Sequence, residues 1–280
     1  MPTRPITMRQ HARLSYSNST DPLLRRIAIR AIEGAMGGRT LQRIYNEIRD
    51  LQLPPSEMWG TALQKLDIKL KYDAIQLAKV PTEKPLVFIA NHPFGVVDGL
   101  ILGHLVSRVR ERFVILVNEV ICKEDQLDAF LLPIDFRETK AALQTNLQSR
   151  QETMTRLKNG EALAIFPAGG VATSPRVFDK AQDLEWKRFT TKVIQQTQAT
   201  VVPLYIHGQN SRLFQLASQV SLNLRLSLLL NEIRNKIGKT IRVTIGDPIS
   251  YEDLSKATDR QGMLGYLRKL TEGLGKRSEL

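Results

Sequence analysis

Cysteine is almost absent: Cys122 is the only one in 280 residues. That excludes an intramolecular disulfide and a cysteine metal cluster. Its neighbours Ile121, Lys123 and Glu124 give no sign of an activated nucleophile, so it reads as a plain thiol. Long apolar runs are also missing. The longest, Leu86 to Ala90, Phe113 to Val117 and Val201 to Ile206, fall far short of the roughly 18–20 residues that a spanning helix needs. No apolar segment of the secretory kind follows the basic N-terminus, so a cytoplasmic location is expected. The four histidines, His11, His92, His104 and His207, are too scattered to suggest a metal site by spacing. There is no Gly-x-Ser-x-Gly elbow for a serine mechanism, and no Gly-Lys-Ser/Thr ending to a glycine-rich loop.

What is present is an ordinary globular composition, 42% apolar, with a strong basic excess. The formal net charge is +12. A balance this basic attracts polyanions: nucleic acid, anionic lipid or an acidic carrier protein. Aromatics make up only 6% and no recognition motif occurs, which sets nucleic acid aside.

Residues 1 to 20 read as a loose polar arm. Asp21-Pro22 is a helix start, a capping aspartate before a first-turn proline, and the helix runs to Met36. A second helix places Leu41, Ile44, Tyr45, Ile48 and Leu51 on one face, and a third runs from Ser56 to Leu66. These basic amphipathic helices fit a membrane-surface anchor and a helical pair packed on the main domain equally well.

From residue 66 the pattern changes. Leu66, Ile68, Leu70 and Tyr72 alternate as in a half-buried strand. Leu86 to Ala90, Phe113 to Val117, Ala162 to Phe166, Thr200 to Ile206 and Thr240 to Ile245 read as further strands. Helices are predicted over Asp98 to Arg110, Thr139 to Lys158, Trp186 to Gln198 and Gly262 to Leu274. In the second of these, Leu143, Leu147, Met154 and Leu157 recur along its length. The alternation predicts an α/β fold, a mixed sheet flanked by helices, over residues 66–280, preceded by a basic helical region over 1–65. Pro203 inside its strand predicts an edge strand or a bulge.

Three segments carry chemistry. Asn91-His92-Pro93-Phe94-Gly95-Val96-Val97-Asp98-Gly99 follows a buried strand directly, where an α/β sheet presents its active face. His92 suits proton transfer near neutral pH, and a carboxylate nearby can fix its tautomer. Six positions of regular helix would put His92 and Asp98 on different faces, so the Pro-Phe-Gly stretch has to be irregular for them to meet. A helix-capping aspartate beside a structural histidine is the other reading of the same residues. The second segment, Phe166-Pro167-Ala168-Gly169-Gly170, ends another strand. Its glycines can leave backbone N–H groups for an oxyanion or a phosphate, although a simple tight turn looks the same. The third is Val201-Val202-Pro203-Leu204-Tyr205-Ile206-His207-Gly208.

In this order and spacing the three segments resemble the glycerolipid and lysophospholipid acyltransferase superfamily. Asn-His with a downstream Asp is followed there by Phe-Pro-Glu-Gly and then Val-Pro-Val. The match covers roughly Leu86 to Asp247, and the Asn-His-Pro-Phe-Gly form is similar to a bacterial branch labelled as hemolysins. The resemblance implies transfer of a fatty acyl group from acyl carrier protein or coenzyme A to a lysolipid hydroxyl. His92 would be the general base, oriented by Asp98. Asn91, Phe94, Gly95, Phe166, Pro167, Ala168, Gly169 and Gly170 would line the substrate site, with Lys123 and Arg176 as candidate cations. Neither metal nor cofactor is implied. An ester or thioester hydrolase, or a lipid-binding member without catalysis, is the competing expectation. Attachment to the inner face of an anionic membrane is expected with either. Two departures stand out. Five residues separate His92 and Asp98 where four are usual, and Ala168 replaces the usual glutamate with no arginine close behind.

Overall fold

A computed structural model describes residues 38–276, apart from 120–126, 128, 138, 177, 221, 260 and 261. The helix expected over Pro22 to Met36, Cys122 and the candidate Lys123 lie outside the described residues.

Among the described residues seven strands form one sheet: β1 (Lys69–Lys71), β2 (Leu86–Ala90), β3 (Phe113–Asn118), β4 (Leu131–Ile134), β5 (Ala162–Ile165), β6 (Thr200–Ile206) and β7 (Thr240–Ile245). Their spatial order is β1-β7-β6-β2-β5-β3-β4. Every neighbouring pair is parallel except β6 with β7, so β7 and β1 run against the other five. Every side chain of β2 and β5 is buried. This is why those strands read as continuous apolar runs: helices cover both faces of a largely parallel sheet.

Of the two expectations for Pro203, an edge strand or a bulge, the structure shows the bulge. Its strand β6 is not at an edge but lies between β2 and β7. The β6–β7 ladder starts at Leu204↔Ile245, and beyond it Gly246 N–H donates to the Pro203 carbonyl at 2.8 Å. The chain resumes pairing only at the Val201↔Ile249 bridge. Two residues of β6 thus face three of its partner, and the missing proline donor falls in that interruption. Pro133, by contrast, does sit on an edge strand, β4.

The helices are α1 (Gly38–Asp50), α2 (Pro55–Lys65), α3 (Ala74–Ala78), α4 (Val96–Ser107), α5 (Lys140–Lys158), α6 (Phe189–Thr197), α7 (Arg212–Val220), α8 (Leu222–Lys236), α9 (Tyr251–Ala257) and α10 (Met263–Lys276). Of these, α3, α7, α8 and α9 carry no expectation from the sequence. On one face of the sheet α2 and α4 pack together, and Trp59 of α2 lies almost on the backbone of α4. A Cβ at Gly103 would stand 2.4 Å from the indole, so only glycine permits that approach. Leu41, Trp59 and Leu63 belong to the same apolar cluster as Phe88 and Ile101. Helices α1 and α2 are therefore a pair packed on the sheet layer. The other face carries a second cluster built from Val87, Leu163, Ile194 and Leu267.

Helix α5 spans the expected range but docks differently. Leu143 is 60% exposed and Leu147 is exposed too, whereas Ala142, Ser149, Thr153 and Leu157 are buried. Hydrogen bonds hold it to β4. Ser149 Oγ donates to the Pro133 carbonyl at 2.6 Å, and Asn146 exchanges two bonds with the Asp135 backbone. Small polar residues let the helix approach the strand, and its leucines turn outward.

Candidate active site

The carboxyl ends of β2, β5 and β6 lie side by side in the sheet, and the three motifs emerge there. Asn91 ends β2 by fastening it to β6. Its Nδ2 donates to the Ile206 carbonyl at 2.9 Å and its Oδ1 accepts the Ile206 N–H at 2.7 Å. Both halves of the amide are thus committed to backbone, and Asn91 acts on the site by placing the chain before His92.

The irregular stretch required by the His92–Asp98 spacing is present. Gly95, the N-cap of α4, takes φ +96 and ψ −119, a conformation closed to other residues. The turn brings His92 Nδ1 to 2.8 Å from Asp98 Oδ2. That same oxygen accepts the Phe94 N–H at 2.7 Å and the Gly95 N–H at 2.9 Å. Asp98 is fully buried. With this carboxylate holding the Nδ1 proton, the lone pair is on Nε2. Nε2 has no hydrogen-bond partner among the described residues, and the His92 side chain keeps 15% exposure. The Phe166 ring stacks on the imidazole at 4.1 Å and 17°, fixing the plane in which Nε2 points.

A second acid, unmarked in the sequence, holds the other side. Asp183 Oδ1 accepts the His92 N–H at 3.0 Å, and Oδ2 accepts the Trp186 indole N–H at 3.0 Å. Burial pushes its carboxyl above the usual range, against the pull of these two donors. Phe94 is held beneath the motif by Lys236 of α8, whose Nζ lies 4.4 Å over the ring and donates to the Gln209 carbonyl at 3.2 Å. Burial pushes that ammonium down.

The segment after β5 runs beside the motif, since Ala172 N–H donates to the His92 carbonyl at 2.7 Å. Its details differ from expectation. Gly169 N–H closes a turn onto the Phe166 carbonyl at 2.9 Å, so it is not available as an oxyanion donor. Gly170 N–H has no partner among the described residues. Ala168 is 2% exposed and packs in the second apolar cluster with Trp186 and Leu132, so its side chain faces the core. Pro167 is buried, and its carbonyl accepts the Lys187 N–H at 2.8 Å. Arg176 is an exposed loop residue, with no contact to His92 or Asp98.

The surroundings of Gly169 and Gly170 include side chains that sequence reasoning missed. Cβ atoms built on these glycines would lie 3.5 Å from Phe136 and 2.9 Å from Leu184, both exposed apolar residues. Arg225 of α8 reaches the same place, with Nη2 2.8 Å from the Val171 carbonyl. Among the described residues no group of three or more potential metal ligands occurs.

The chain is similar in sequence and in fold to known proteins. The profile of a family described as acyltransferase matches residues 22–278. A lyso-glycine lipid O-acyltransferase of Phocaeicola vulgatus is 29% identical over 205 residues, 69% of each chain. One from Bacteroides thetaiotaomicron is 28% identical over 219 residues, 74% of this chain and 76% of that protein. The crystal structure of the 1-acyl-sn-glycerophosphate acyltransferase from Thermotoga maritima superposes with a TM-score of 0.53 at 14% identity. It covers 92% of this chain and 96% of that one, a likeness of fold.

Proposed function

The chain belongs to the acyltransferase family, and we propose that it moves a fatty acyl group from a thioester to the hydroxyl of an anionic lysolipid. The observation that carries the mechanism is the shared oxygen of Asp98. It holds His92 Nδ1–H while two backbone N–H groups hold it, and Nε2 is left without a partner among the described residues. The acceptor hydroxyl attacks the thioester carbonyl carbon directly as its proton passes to Nε2. The C–S bond then breaks, and the leaving thiolate takes the proton back from His92. No acyl-enzyme forms. Base catalysis of this kind contributes roughly 10²–10⁴-fold. Gly170 N–H is the proposed donor to the tetrahedral oxyanion, and one such donor adds about 10²–10³-fold.

The acceptor favoured is an amino-acid-based lysolipid of the glycine type, on which both bacterial relatives are named as acting. The core-facing Ala168, where a polar side chain is usual, supports an acceptor other than a glycerophosphate. The donor is the thioester of acyl carrier protein or coenzyme A.

We place the reaction at the inner face of an anionic membrane. No described helix is long and apolar enough to cross a bilayer. Helix α7 supports surface docking: Leu213, Leu216 and Val220 form one outward stripe, Val220 at 71% exposure, while Phe214 and Ala217 turn inward. Exposed Phe178, beside Arg212, extends it. No acidic residue occurs between Glu185 and Glu232, a stretch holding five Lys and Arg.

The test is acyl transfer from labelled acyl carrier protein and acyl-CoA to a panel of lysolipids, with His92→Ala alongside. Label in a diacyl product, lost in the variant, supports the reading. Free fatty acid in place of product makes the protein a hydrolase. Transfer that survives in His92→Ala overturns the mechanism.

A further inference from the structure

We propose that Arg225 binds the anionic headgroup of the acceptor, a carboxylate or phosphate lodged beside residues 169–172, and so selects the acceptor. This rests on the acyl-transfer reading above.

Arg225 is half-buried and pairs with no acid among the described residues. It shares this trait with Arg110, which lies far from the motif and has both guanidinium Nη atoms on backbone carbonyls. Arg112, Arg137, Arg156 and Arg268 each pair with a carboxylate. Among the described residues Arg225 has a single hydrogen bond, from Nη2 to the Val171 carbonyl, and its Cζ lies 5.9 Å from the Phe214 ring. Its Nε is buried with no partner among the described residues. Guanidinium stays charged in proteins, and a sequestered charge without a counter-charge is costly. The neighbouring acids are already committed. Glu232, two turns along the same helix, accepts from Ser211 N–H and Oγ. Asp98 Oδ2 holds three donors, and both oxygens of Asp183 hold one each. Among the described residues no acid is left for Arg225, and we assign its anion to the substrate.

Position says which substrate supplies it. Nη2 lies 3.6 Å from where a Cβ of Gly170 would stand. Val171, which it grips, also lies against Gly95, and Ala172 next to it bonds to the His92 carbonyl. The anion thus lies close to the reacting hydroxyl. A lysolipid with its headgroup a few bonds from that hydroxyl meets the condition. The phosphates of a thioester donor, a long pantetheine arm from the thioester carbon, do not. A planar guanidinium with free N–H groups also matches carboxylate and phosphate oxygens geometrically.

The experiment uses the full-length enzyme and three acceptors with one acyl chain: N-(3-hydroxyacyl)glycine, its primary amide, and a lysophosphatidate. Turnover and equilibrium binding are measured for the wild type, Arg225→Lys and Arg225→Met, with thermal melts alongside. The wild type is expected to favour the acid over the amide by about 10- to 100-fold in kcat/KM, as a charged hydrogen bond contributes. Arg225→Met collapses that ratio toward one, chiefly through KM, and Arg225→Lys retains part of it. Preference between the acid and the lysophosphatidate identifies the anion. No acid–amide preference in the wild type overturns the proposal even if Arg225→Met fails to fold. Equal loss on all three acceptors overturns it too. Acid-selective, Arg225-dependent binding without transfer would leave the subsite standing and sink the transfer reading alone.

Discussion

Replacing Asp98 with asparagine separates the charge of the His92 partner from its shape. Oδ2 faces three donors, at 2.8 Å from His92, 2.7 Å from Phe94 and 2.9 Å from Gly95. An amide NH₂ cannot accept, so asparagine must put its oxygen in that position. Its nitrogen then occupies the place of Oδ1, which is buried without a partner. The tautomer of His92 is preserved, and only the negative charge is lost as the imidazolium forms. The difference between a charged and a neutral hydrogen bond, about 1 kcal/mol, is the lower bound. The attraction of two unit charges about 4 Å apart at an effective dielectric of about 20, roughly 4 kcal/mol, is the upper. The expected fall in kcat is therefore roughly 5- to 1000-fold, with KM held and the melt little changed. Alanine is a different perturbation. It leaves the buried N–H groups of Phe94 and Gly95 unpaired, a destabilisation of about 2–6 kcal/mol. Single-turnover transfer assays beside thermal melts read both. Unchanged kcat in Asp98→Asn would refute the electrostatic role. A loss as deep as that of His92→Ala, with an unchanged melt, would refute the claim that the tautomer is held.

Gly95→Ala forces φ +96 on a residue with a Cβ, which would meet Leu229 at 3.1 Å. The strain of about 1–3 kcal/mol should lower Tm by several degrees and reduce kcat as Asp98 moves off His92; a normal melt with full activity would contradict the geometry. Asp183 has a folded-state pKa above its unfolded value, so the folded state binds more protons and stability falls as pH rises from the ordinary carboxylate range through that raised value. Asp183→Asn should abolish this slope in denaturant titrations across pH 4–7, and an identical pH dependence in the variant would count against it. Leu216→Asp with Val220→Asp should cut partition onto anionic vesicles at least about tenfold, since half-exposed apolar side chains of this size contribute roughly 1 kcal/mol each on burial. The same melt in solution would accompany that loss, and undiminished sedimentation with vesicles would remove α7 as the docking face.

Much of the sheet was legible because burial on both faces writes itself as uninterrupted apolar runs, as in Leu86 to Ala90. The placement of His92 at the end of such a run followed from the same logic. What was not legible depends on contacts distant in sequence. Pro203 signals an edge or a bulge, and only the distant pairing with β7 decides that its missing N–H falls in a gap of the neighbouring ladder. Leu143 and Leu147 have helical spacing, but hydrogen bonds from Asn146 and Ser149 decide which face of α5 docks. Asp183 sits in a loop with no periodicity, 91 residues from the His92 backbone it holds. Arg225 looks like any other arginine in its helix until α8 folds against Val171, 54 positions earlier.

The two readings that the sequence left open for the central motif, a capping aspartate and a partner for histidine, turn out not to be alternatives. Asp98 stands in the first turn of α4, and its Oδ2 takes the N–H groups of Gly95 and Phe94, as a residue securing a helix start does. The same atom takes the His92 ring. With five residues between them, the pair can share one oxygen only because Gly95 turns the chain back at positive φ. Helix start, turn and imidazole are consequently a single hydrogen-bonded unit. The five-residue spacing is thus closed by the turn that the carboxylate itself secures. This sharing also means that most substitutions at Asp98 confound stability with chemistry. Asparagine, which keeps the acceptor and removes the charge, is the one that can tell them apart.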